Sequence, residues 1–406
     1  MNTPLPGPPL RIAVLGDFDG PHTRAWLSVF VERGHDVHAI SYYQPRAELP
    51  GVTVHVLNKR PASPQPDPLS PGERARVRGR RSFTAALVPP SLRRYIHAWR
   101  YKRAGLRRVL DEIRPDVFHA HYVVEHGFYG AIGYHPYVIS AWGSDLLVES
   151  HKALGRRIAQ RALKSADLVT GNDASLVKRA IELGLPPEKA AVVHLGIERL
   201  FLDAGEHSVN LQAEDSQPPT VISTRALDPL YNVEVVIAAF ARLRRSMPEA
   251  RLFLAGAGSR RAALEFIAAR LGHADSVVFL GHMEQDRLAG ALARAQVYVS
   301  VPSSDSFALS NLEAMAAGAF PVVSDLPSVD GWIEHGVNGL RVPPRDVDAL
   351  ADAIVRALND PDLRRRAAIQ NRKLVEARGL REPNMLLMER HYYRLAGHPV
   401  DERGAI

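Results

Sequence analysis

The sequence of 406 residues contains no cysteine. Disulfide bonds, thiolate catalysis and zinc or iron–sulfur sites that rest on cysteine are therefore excluded. The chain also lacks any apolar run approaching the roughly 18 residues that a membrane-spanning helix requires. Its first ten residues are rich in proline and carry no charged side chain, a composition that does not predict a signal peptide. These absences together predict a cytoplasmic protein.

Acidic residues are absent from one long segment, residues 74–108, in a chain whose formal net charge is +7. Basic and aromatic side chains alternate there with apolar ones, a pattern that suits the anionic surface of a membrane. It predicts a peripheral position at the inner face of a membrane. A solvated basic helix beside an anionic substrate explains the same pattern equally well. No nucleic-acid recognition motif accompanies the charge, so a nucleic-acid partner is not predicted.

The stretch from Ser303 to Gly318 organises the rest of the chain. It begins as a polar loop directly after the apolar run 297–301 and ends as a helix that Gly318 stops. A loop that leaves a buried strand and enters a helix directs free N–H groups and the positive end of the helix dipole at one point, which suits a phosphate. Asp305 and Glu313 suit hydroxyls beside that phosphate, because an ionised carboxylate accepts hydrogen bonds from vicinal OH groups. A surface loop with a helix-capping aspartate is the alternative.

The spacing of these two acids resembles the acidic-x7-Glu signature of the retaining glycosyltransferases of GT-B fold in family 4, although the first acid of that family is usually glutamate. The resemblance covers nearly the whole chain and is most specific over residues 225–343. It implies that Asp305 acts in catalysis by orienting the transferred sugar, while Glu313 holds the nucleotide ribose. It also implies that the donor diphosphate rests on the backbone of four neighbours: Ser306, Phe307, Ala308 and Leu309.

The resemblance implies an α/β chain of GT-B fold, in which two Rossmann-like, doubly wound domains face a central cleft. We predict an N-terminal, acceptor-side domain over residues 1–204, a linker over 205–219 and a nucleotide-sugar-binding domain over 220–384. Residues 385–406 are predicted to pack back onto the first domain. The division rests on the alternation of strand and helix patterns, which restarts once near Thr220.

A strand, loop, helix and strand pattern over residues 11–41 predicts a βαβ unit, whose ligands bind beyond the C-terminal ends of the strands. The loop lacks a G-x-G-x-x-G sequence, so no dinucleotide cofactor is predicted. In the resembling family this loop is glycine-rich and contacts both the donor phosphate and the acceptor. Four residues match it and are predicted on the acceptor side of the cleft: Gly16, Asp17, Gly20 and His22.

Two histidines, His119 and His121, alternate onto one face of the strand predicted over residues 116–121. No third ligand is evident near them, so hydrogen-bonded histidines that line the cleft are predicted rather than a metal site. Trp142 stands where the resembling family usually has a histidine near the reacting carbon, and we place it at the cleft with His121. Asp145 is predicted as a catalytic contact to the sugar or the acceptor. An aspartate that caps its own loop is the alternative for Asp145.

The start of the second domain predicts the donor diphosphate site. Arg225 matches the arginine with which the resembling family clamps the diphosphate, but Tyr231 stands where that family has a lysine. Arginine grips phosphate bidentately, whereas tyrosine supplies one neutral donor. A later strand-to-helix turn that contains Gly256 and Gly258 is predicted to approach the nucleotide.

Together these residues predict a hexosyltransferase-type enzyme that moves a sugar from a nucleoside-diphosphate sugar, its co-substrate, to an acceptor hydroxyl with retention of configuration. Cell-envelope, glycolipid or polysaccharide biosynthesis is the expected setting. Neither a cofactor nor a metal is predicted, since Arg225, backbone amides and a helix N-terminus meet the charge of the departing diphosphate. Two alternatives stay open: a non-hydrolysing nucleotide-sugar epimerase of GT-B fold, and a catalytically degenerate GT-B protein that only binds.

Overall fold

The computed structural model of the chain describes residues 4–46, 48–57, 90–211 and 218–400. Of the basic segment predicted over residues 74–108, the part before residue 90 lies outside the described residues. So does the middle of the predicted linker, residues 212–217. Within the described ranges, no helix combines the length and the apolar composition that crossing a bilayer requires.

Two parallel sheets form the framework, one in each domain. The first sheet has seven strands in the order β3-β2-β1-β4-β5-β6-β7, and the second has six in the order β10-β9-β8-β11-β12-β13. The strands are β1 (Arg11–Leu15), β2 (Asp36–Ser41), β3 (Val52–Val56), β4 (Val117–His121), β5 (Tyr137–Ala141), β6 (Leu168–Gly171), β7 (Ala190–Val192), β8 (Thr220–Ser223), β9 (Arg251–Leu254), β10 (Val277–Phe279), β11 (Val297–Ser300), β12 (Phe320–Ser324) and β13 (Leu340–Val342).

Helices connect the strands and cover both faces of each sheet. They are α1 (Pro21–Glu32), α2 (Pro90–Ile113), α3 (Phe128–Gly130), α4 (Ser144–Leu147), α5 (Ala153–Ser165), α6 (Ala174–Glu182), α7 (Leu200–Leu211), α8 (Val233–Leu243), α9 (Arg261–Arg270), α10 (Gln285–Arg294), α11 (Leu309–Ala317), α12 (Val347–Asn359), α13 (Pro361–Arg378) and α14 (Arg381–Leu395). Because helices cover both faces of each sheet, the side chains on both sides of a strand are buried, which explains why the strand sequences are almost continuously apolar.

Each sheet reverses its strand order at one point, between β1 and β4 in the first domain and between β8 and β11 in the second. Loops leave these neighbouring strands in opposite directions, which opens a crevice beyond their C-terminal ends, where doubly wound proteins bind their ligands. The two predicted Rossmann-like domains are confirmed, and the structure adds the strand order that creates the two switch points.

The chain passes from the first domain to the second at Ile197 and returns at Leu380, and these two residues pair as a parallel bridge. The two segments that cross between the domains are in close contact, since a Cβ on Gly196 would lie 2.5 Å from the backbone nitrogen of Arg381. Gly196 also has a φ of +70°, which favours glycine. The two connections between the domains therefore meet at one junction.

The predicted linker contains regular structure, because α7 occupies residues 200–211. Phe201 and Leu202 at its start are buried in the core of the second domain, and Gly205 packs against the backbone of Ala316. The apolar start of α7 holds the chain on the second domain before the polar composition of the linker begins. The domain boundaries otherwise stay a prediction.

The last helix, α14, packs on the first domain beside β1 and α1. Met385, Met388 and Tyr392 are buried there with residues such as Trp26. A buried ion pair reinforces this apolar contact, because Glu389 accepts hydrogen bonds from Arg33 Nη2 at 2.7 Å and from His35 Nε2 at 2.8 Å. Removing one partner of such a buried pair typically costs about 3–5 kcal/mol.

Candidate active site

A cavity of about 570 Å³ lies between the two domains, at the C-terminal ends of strands from both sheets. Its size falls within the roughly 300–1,000 Å³ typical of small-molecule sites. The first domain contributes Tyr122, Trp142, Ser144, Val148, Asn172 and Leu195 to its wall. The second domain contributes Thr224 to Ala226, Leu230, Tyr231, Ala255 to Ala257, His282, Met283, Leu288, Ser304 to Ser310 and Glu313.

Arg225 forms the electrostatic centre of the cavity. Its guanidinium makes an ion pair with Asp305, donates a hydrogen bond to Ser310 Oγ at 2.8 Å and lies 4.3 Å from the ring centre of Tyr231. Burial, the largest influence, lowers the pKa of Arg225, but Asp305, Tyr298 and Tyr231 together raise it above its usual value. In the described part of the chain no other lysine or arginine lines the cavity. Arg225 is therefore the cation available to an anionic ligand there.

Asp305 and Glu313, the two predicted acids, both face this cavity. Burial raises the pKa of Asp305, although Arg225 acts in the opposite direction. Burial raises the pKa of Glu313 to about 7, with Arg381 and then Arg225 lowering it. Asp305 is thus held by an arginine, whereas Glu313 forms no hydrogen bond with any described residue. A carboxylate of this kind is free to accept hydrogen bonds from a ligand.

The N-terminus of α11 opens onto the same space. No side chain caps this helix at Ala308, and within the described ranges no acceptor takes the N–H groups of Ala308, Leu309 or Ser310. The amides of Ser306 and Phe307 are already used, the first by Asp305 and the second by Asp173 Oδ2 at 3.0 Å. Of the four amides predicted to bind a phosphate, those of Ser306 and Phe307 are therefore occupied. The amides of Ala308 and Leu309 remain available, and the amide of Ser310 joins them.

The glycine turn after β9 packs against the segment that carries Arg225. A Cβ on Gly256 would lie 2.2 Å from the carbonyl oxygen of Arg225, and one on Gly258 would lie 2.5 Å from the backbone of Leu227. Gly256 lines the cavity and Gly258 does not. The glycines allow two backbone segments to approach closely, a use of glycine that P-loop-like turns share.

The first-domain loop lies beside the cavity rather than in its wall. Gly16 packs against Thr23 and His121. Asp17 is exposed and accepts a hydrogen bond from the amide of Asp19 at 3.0 Å. Gly20 precedes α1, and a Cβ placed on it would have no atom within 4 Å. The side chain of His22 lies outside the described residues.

The two histidines of β4 occupy the interior, which corrects their predicted position at the cleft. His119 is hydrogen-bonded to Ser140 Oγ at 2.8 Å, as predicted for a satisfied histidine. His121 is fully buried between Trp26 and Trp142, and its two ring nitrogens have no hydrogen-bond partner in the described structure. Burial holds the pKa of His121 well below its usual value. The described residues contain no group of three or more histidines or acids arranged to hold a metal ion.

Trp142 and Asp145 both follow β5, but only Trp142 lines the cavity. Trp142 lines the cavity and stacks on Tyr122 with ring centres 6.3 Å apart, so the two rings form the first-domain wall. Asp145 is 3% exposed and is absent from the cavity wall. Its carboxylate accepts hydrogen bonds from the amides of Val123 at 2.8 Å and Gly143 at 2.9 Å. Asp145 thus caps its own loop, the alternative given above for this residue.

Several wall residues carried no signal that singled them out in the sequence. Tyr122 directly follows β4, and Asn172 directly follows β6, so position at a strand end was the available clue. Ser310 lies in the first turn of α11, where its hydroxyl also accepts a hydrogen bond from Tyr298 at 2.8 Å. His282 and Met283 follow β10 by a short loop and complete the wall beyond Gly256.

Known proteins match this chain along most of its length. Residues 20–196 match the model of the glycosyl transferase 4-like domain, and residues 208–374 match that of glycosyl transferases group 1. D-inositol 3-phosphate glycosyltransferase of Acidothermus cellulolyticus is 28% identical over 400 residues, which cover 88% of this chain and 81% of that protein. Alpha-D-kanosaminyltransferase of Streptomyces kanamyceticus is 25% identical over 351 residues, 78% of this chain and 89% of that protein.

Solved structures agree with the fold. The structure of HepE from Anabaena in complex with UDP superposes with a TM-score of 0.71 at 18% identity, over 95% of this chain and 100% of that one. The two sheets, the cavity between them and the matches to both domain models therefore have one explanation: the chain belongs to the GT-B glycosyltransferases of family 4 and is a transferase.

Proposed function

We propose that this enzyme transfers a sugar from a nucleoside-diphosphate sugar to an acceptor hydroxyl and retains the anomeric configuration. The observation that carries the proposal is the arrangement of Arg225, Asp305 and Glu313 around the open N-terminus of α11. A cation, a helix dipole and free amides suit a diphosphate. Two carboxylates on either side of it suit the hydroxyl groups of a sugar and a ribose.

The chemistry follows from where charge develops. As the bond between the anomeric carbon and the diphosphate oxygen breaks, the diphosphate gains negative charge. Arg225 and the amides of Ala308, Leu309 and Ser310 stabilise that charge from fixed positions, so the step requires no metal. Asp305 orients the sugar while the acceptor oxygen bonds to the anomeric carbon, and the acceptor proton leaves with the diphosphate. Tyr122 and Trp142 present an aromatic face on the acceptor side.

UDP is the nucleotide to test first, because HepE was solved in complex with UDP. Calorimetric titration with UDP, GDP, ADP and their sugar derivatives, on wild type and on Glu313→Ala, tests the donor site. Loss of a charged hydrogen-bond acceptor is expected to weaken binding by about 1–3 kcal/mol. Glu249→Ala is the control. Glu249 is exposed and lies just before the N-terminal end of β9, whereas the cavity lies at the C-terminal ends of the strands. The absence of binding by every nucleotide would refute the proposal.

Retention has its own readout. Proton NMR of the glycosylated product, taken at early times, distinguishes the two anomers. The configuration of the donor is expected in the product. An inverted product contradicts this part of the proposal while leaving the donor site intact. A change in the sugar without an acceptor favours the epimerase alternative, which the relatives reported above do not favour.

We also infer a peripheral position at an anionic membrane surface, in glycolipid or other cell-envelope synthesis. The described end of α2 carries Arg103, and the exposed side of α5 carries Arg156, Arg157 and Arg161. Burial first, and then the charge of Arg161, lowers the pKa of Arg103. Each basic residue near an anionic surface contributes about 1 kcal/mol of attraction.

Sedimentation with vesicles of phosphatidylglycerol and of phosphatidylcholine tests this position. We expect salt-sensitive binding to the anionic vesicles and a marked reduction when Arg156, Arg157 and Arg161 are replaced by glutamine. Equal binding to both vesicle types, or none, would count against it. The donor titration is unaffected by this result.

A further inference from the structure

The loop that carries Asp305 is held by the opposite domain. Phe307 donates its backbone N–H to Asp173 Oδ2 at 3.0 Å, and its carbonyl oxygen accepts a hydrogen bond from Asn172 Nδ2 at 2.9 Å. The neighbouring Ser306 donates its hydroxyl to the carbonyl oxygen of Trp142 at 3.1 Å. Three first-domain residues thus fix two consecutive residues of the second domain.

Asn172 and Asp173 are themselves fixed by their own domain. Asp173 Oδ1 caps α6 by accepting hydrogen bonds from the amides of Ser175 at 2.8 Å and Leu176 at 3.1 Å. Asn172 Oδ1 accepts one from the amide of Leu195 at 2.8 Å. Asp173 is 2% exposed, so its second oxygen needs a donor, and Phe307 supplies it. In each of these side chains, one polar atom accepts hydrogen bonds from its own domain and the other polar atom is hydrogen-bonded to the backbone of Phe307.

The side chain of Phe307 belongs to the second domain. Its ring stacks on Trp332 with ring centres 4.8 Å apart and planes 6° from parallel. The fit at the domain boundary is also close, because a Cβ on Gly143 would lie 3.3 Å from Ser306 Oγ. The ring therefore anchors the loop to one domain while the backbone is bound by the other. A change in the angle between the domains must break one of these two attachments.

We propose that Asn172 and Asp173 are positioning residues, which hold the loop of Asp305 in its productive shape when the two domains are closed on the donor. This inference rests on the proposed function. Asp305 lies two residues before Phe307 and pairs with Arg225, so the shape of the loop sets where its carboxylate meets the sugar. Burial is the main cause of the raised pKa of Asp305, and the charge of Asp173 acts in the same direction.

The proposal separates two steps. Arg225, Glu313 and the N-terminus of α11 all belong to the second domain, and in the described structure the side chains of Asn172 and Asp173 form hydrogen bonds to Phe307 rather than to these groups. Transfer of the sugar needs Asp305 in position, and that position needs the first domain. Substitutions at Asn172 and Asp173 are therefore expected to lower kcat and to leave nucleotide affinity nearly unchanged.

Two isosteric variants test this. Asp173→Asn keeps an oxygen for the cap of α6, because asparagine caps helices as well as aspartate does, but presents an NH₂ group to the N–H of Phe307. Asn172→Asp keeps the oxygen that accepts from Leu195 and loses the donor to Phe307. Asp346→Asn is the matched control, since Asp346 caps α12 through the amide of Ala349 at 2.9 Å and lies outside the cavity wall.

We expect kcat to fall at least about tenfold in both variants, as misplacement of a catalytic group by 1 Å can do, with the Kd for the nucleoside diphosphate within about threefold of wild type. Unchanged kcat, or a parallel loss of kcat and affinity, would overturn the proposal. Hydrogen exchange of the peptide that contains Phe307 gives a second readout, which does not depend on catalysis. Faster exchange is expected in the two variants and not in Asp346→Asn; equal exchange would also overturn it. Failure of the wild type to bind any nucleotide refutes the proposed function instead.

Discussion

The guanidinium of Arg225 lies 4.3 Å from the ring centre of Tyr231, the residue that the sequence resemblance predicts to replace a lysine. Cation–π contacts of this kind contribute about 0.5–2 kcal/mol, depending on how far they are desolvated. In the proposed diphosphate site, Arg225 is therefore supported by an aromatic ring at the position where the resemblance implies a lysine. Within the described residues no second lysine or arginine lines the cavity, and the guanidinium of Arg225 lies over the ring of Tyr231 and also contacts Asp305 and Ser310.

The first prediction concerns this ring. Tyr231→Phe keeps the aromatic face and is expected to bind nucleoside diphosphate within about twofold of wild type. Tyr231→Leu removes the face, and we expect a loss of affinity of about 0.5–2 kcal/mol. Calorimetric titration of both variants measures the difference. If Tyr231→Phe loses as much affinity as Tyr231→Leu, the hydroxyl binds the donor directly and the stacking account is wrong.

The second prediction concerns pH. The pKa of Glu313 is raised to about 7 by burial, so the carboxylate gains its charge as pH rises through neutrality. The charged form is the stronger acceptor for the ribose hydroxyls that Glu313 is proposed to bind. Nucleotide affinity at a fixed salt concentration is therefore expected to rise between about pH 6 and pH 8. In Glu313→Gln this rise should disappear, because glutamine does not titrate; a rise that persists in the variant must come from another group, such as the nucleotide phosphate.

The same group makes a third prediction, about stability. A carboxyl whose pKa is raised in the folded state binds more protons folded than unfolded, so its contribution to the free energy of unfolding is present at low pH and is lost as pH rises through the folded pKa. Glu313→Gln is therefore expected to stabilise the unliganded protein at pH 8 relative to pH 5. Thermal unfolding at both values measures this, with Glu249→Gln as an exposed control. Identical shifts in the two variants would contradict the assigned burial.

The sequence predicted the fold well because its signals are local and repeated. Apolar runs that end in glycine-containing loops mark strands buried on both faces, and their alternation with helices leaves few topologies open. Asp305 and Glu313 were predictable for the same reason, since one loop and one helix carry both. The GT-B resemblance added the pairing of the two domains, which no local pattern provides.

The parts that the sequence did not predict depend on distant contacts. Whether Asp145 faces the cleft or its own loop is decided by the amide of Val123, which lies more than twenty positions away. The amide of Phe307 is bound because Asp173 of the other domain reaches it, and no reading of residues 303–318 reveals that. His121 is buried by Trp26 and Trp142, so a strand pattern alone could not tell an interior histidine from one at the cleft.

The fourth prediction compares two glycines that the sequence placed at the site. Gly256→Ala puts a Cβ 2.2 Å from the carbonyl oxygen of Arg225, whereas nothing lies within 4 Å of a Cβ on Gly20. The first substitution must displace the backbone that carries Arg225, at a cost of roughly 1–3 kcal/mol. The second is expected to change the free energy of unfolding by no more than about 0.5 kcal/mol.

Urea unfolding and nucleotide titration of both variants check this fourth prediction together. Gly256→Ala should lose both stability and donor affinity, because the backbone that its Cβ displaces carries Arg225, the residue proposed to bind the diphosphate. Gly20→Ala should lose neither, because a Cβ on Gly20 meets no atom within 4 Å. A Gly256→Ala variant that binds nucleotide as tightly as wild type would mean that the turn can shift away without moving Arg225, and the role of Gly256 would then be confined to packing.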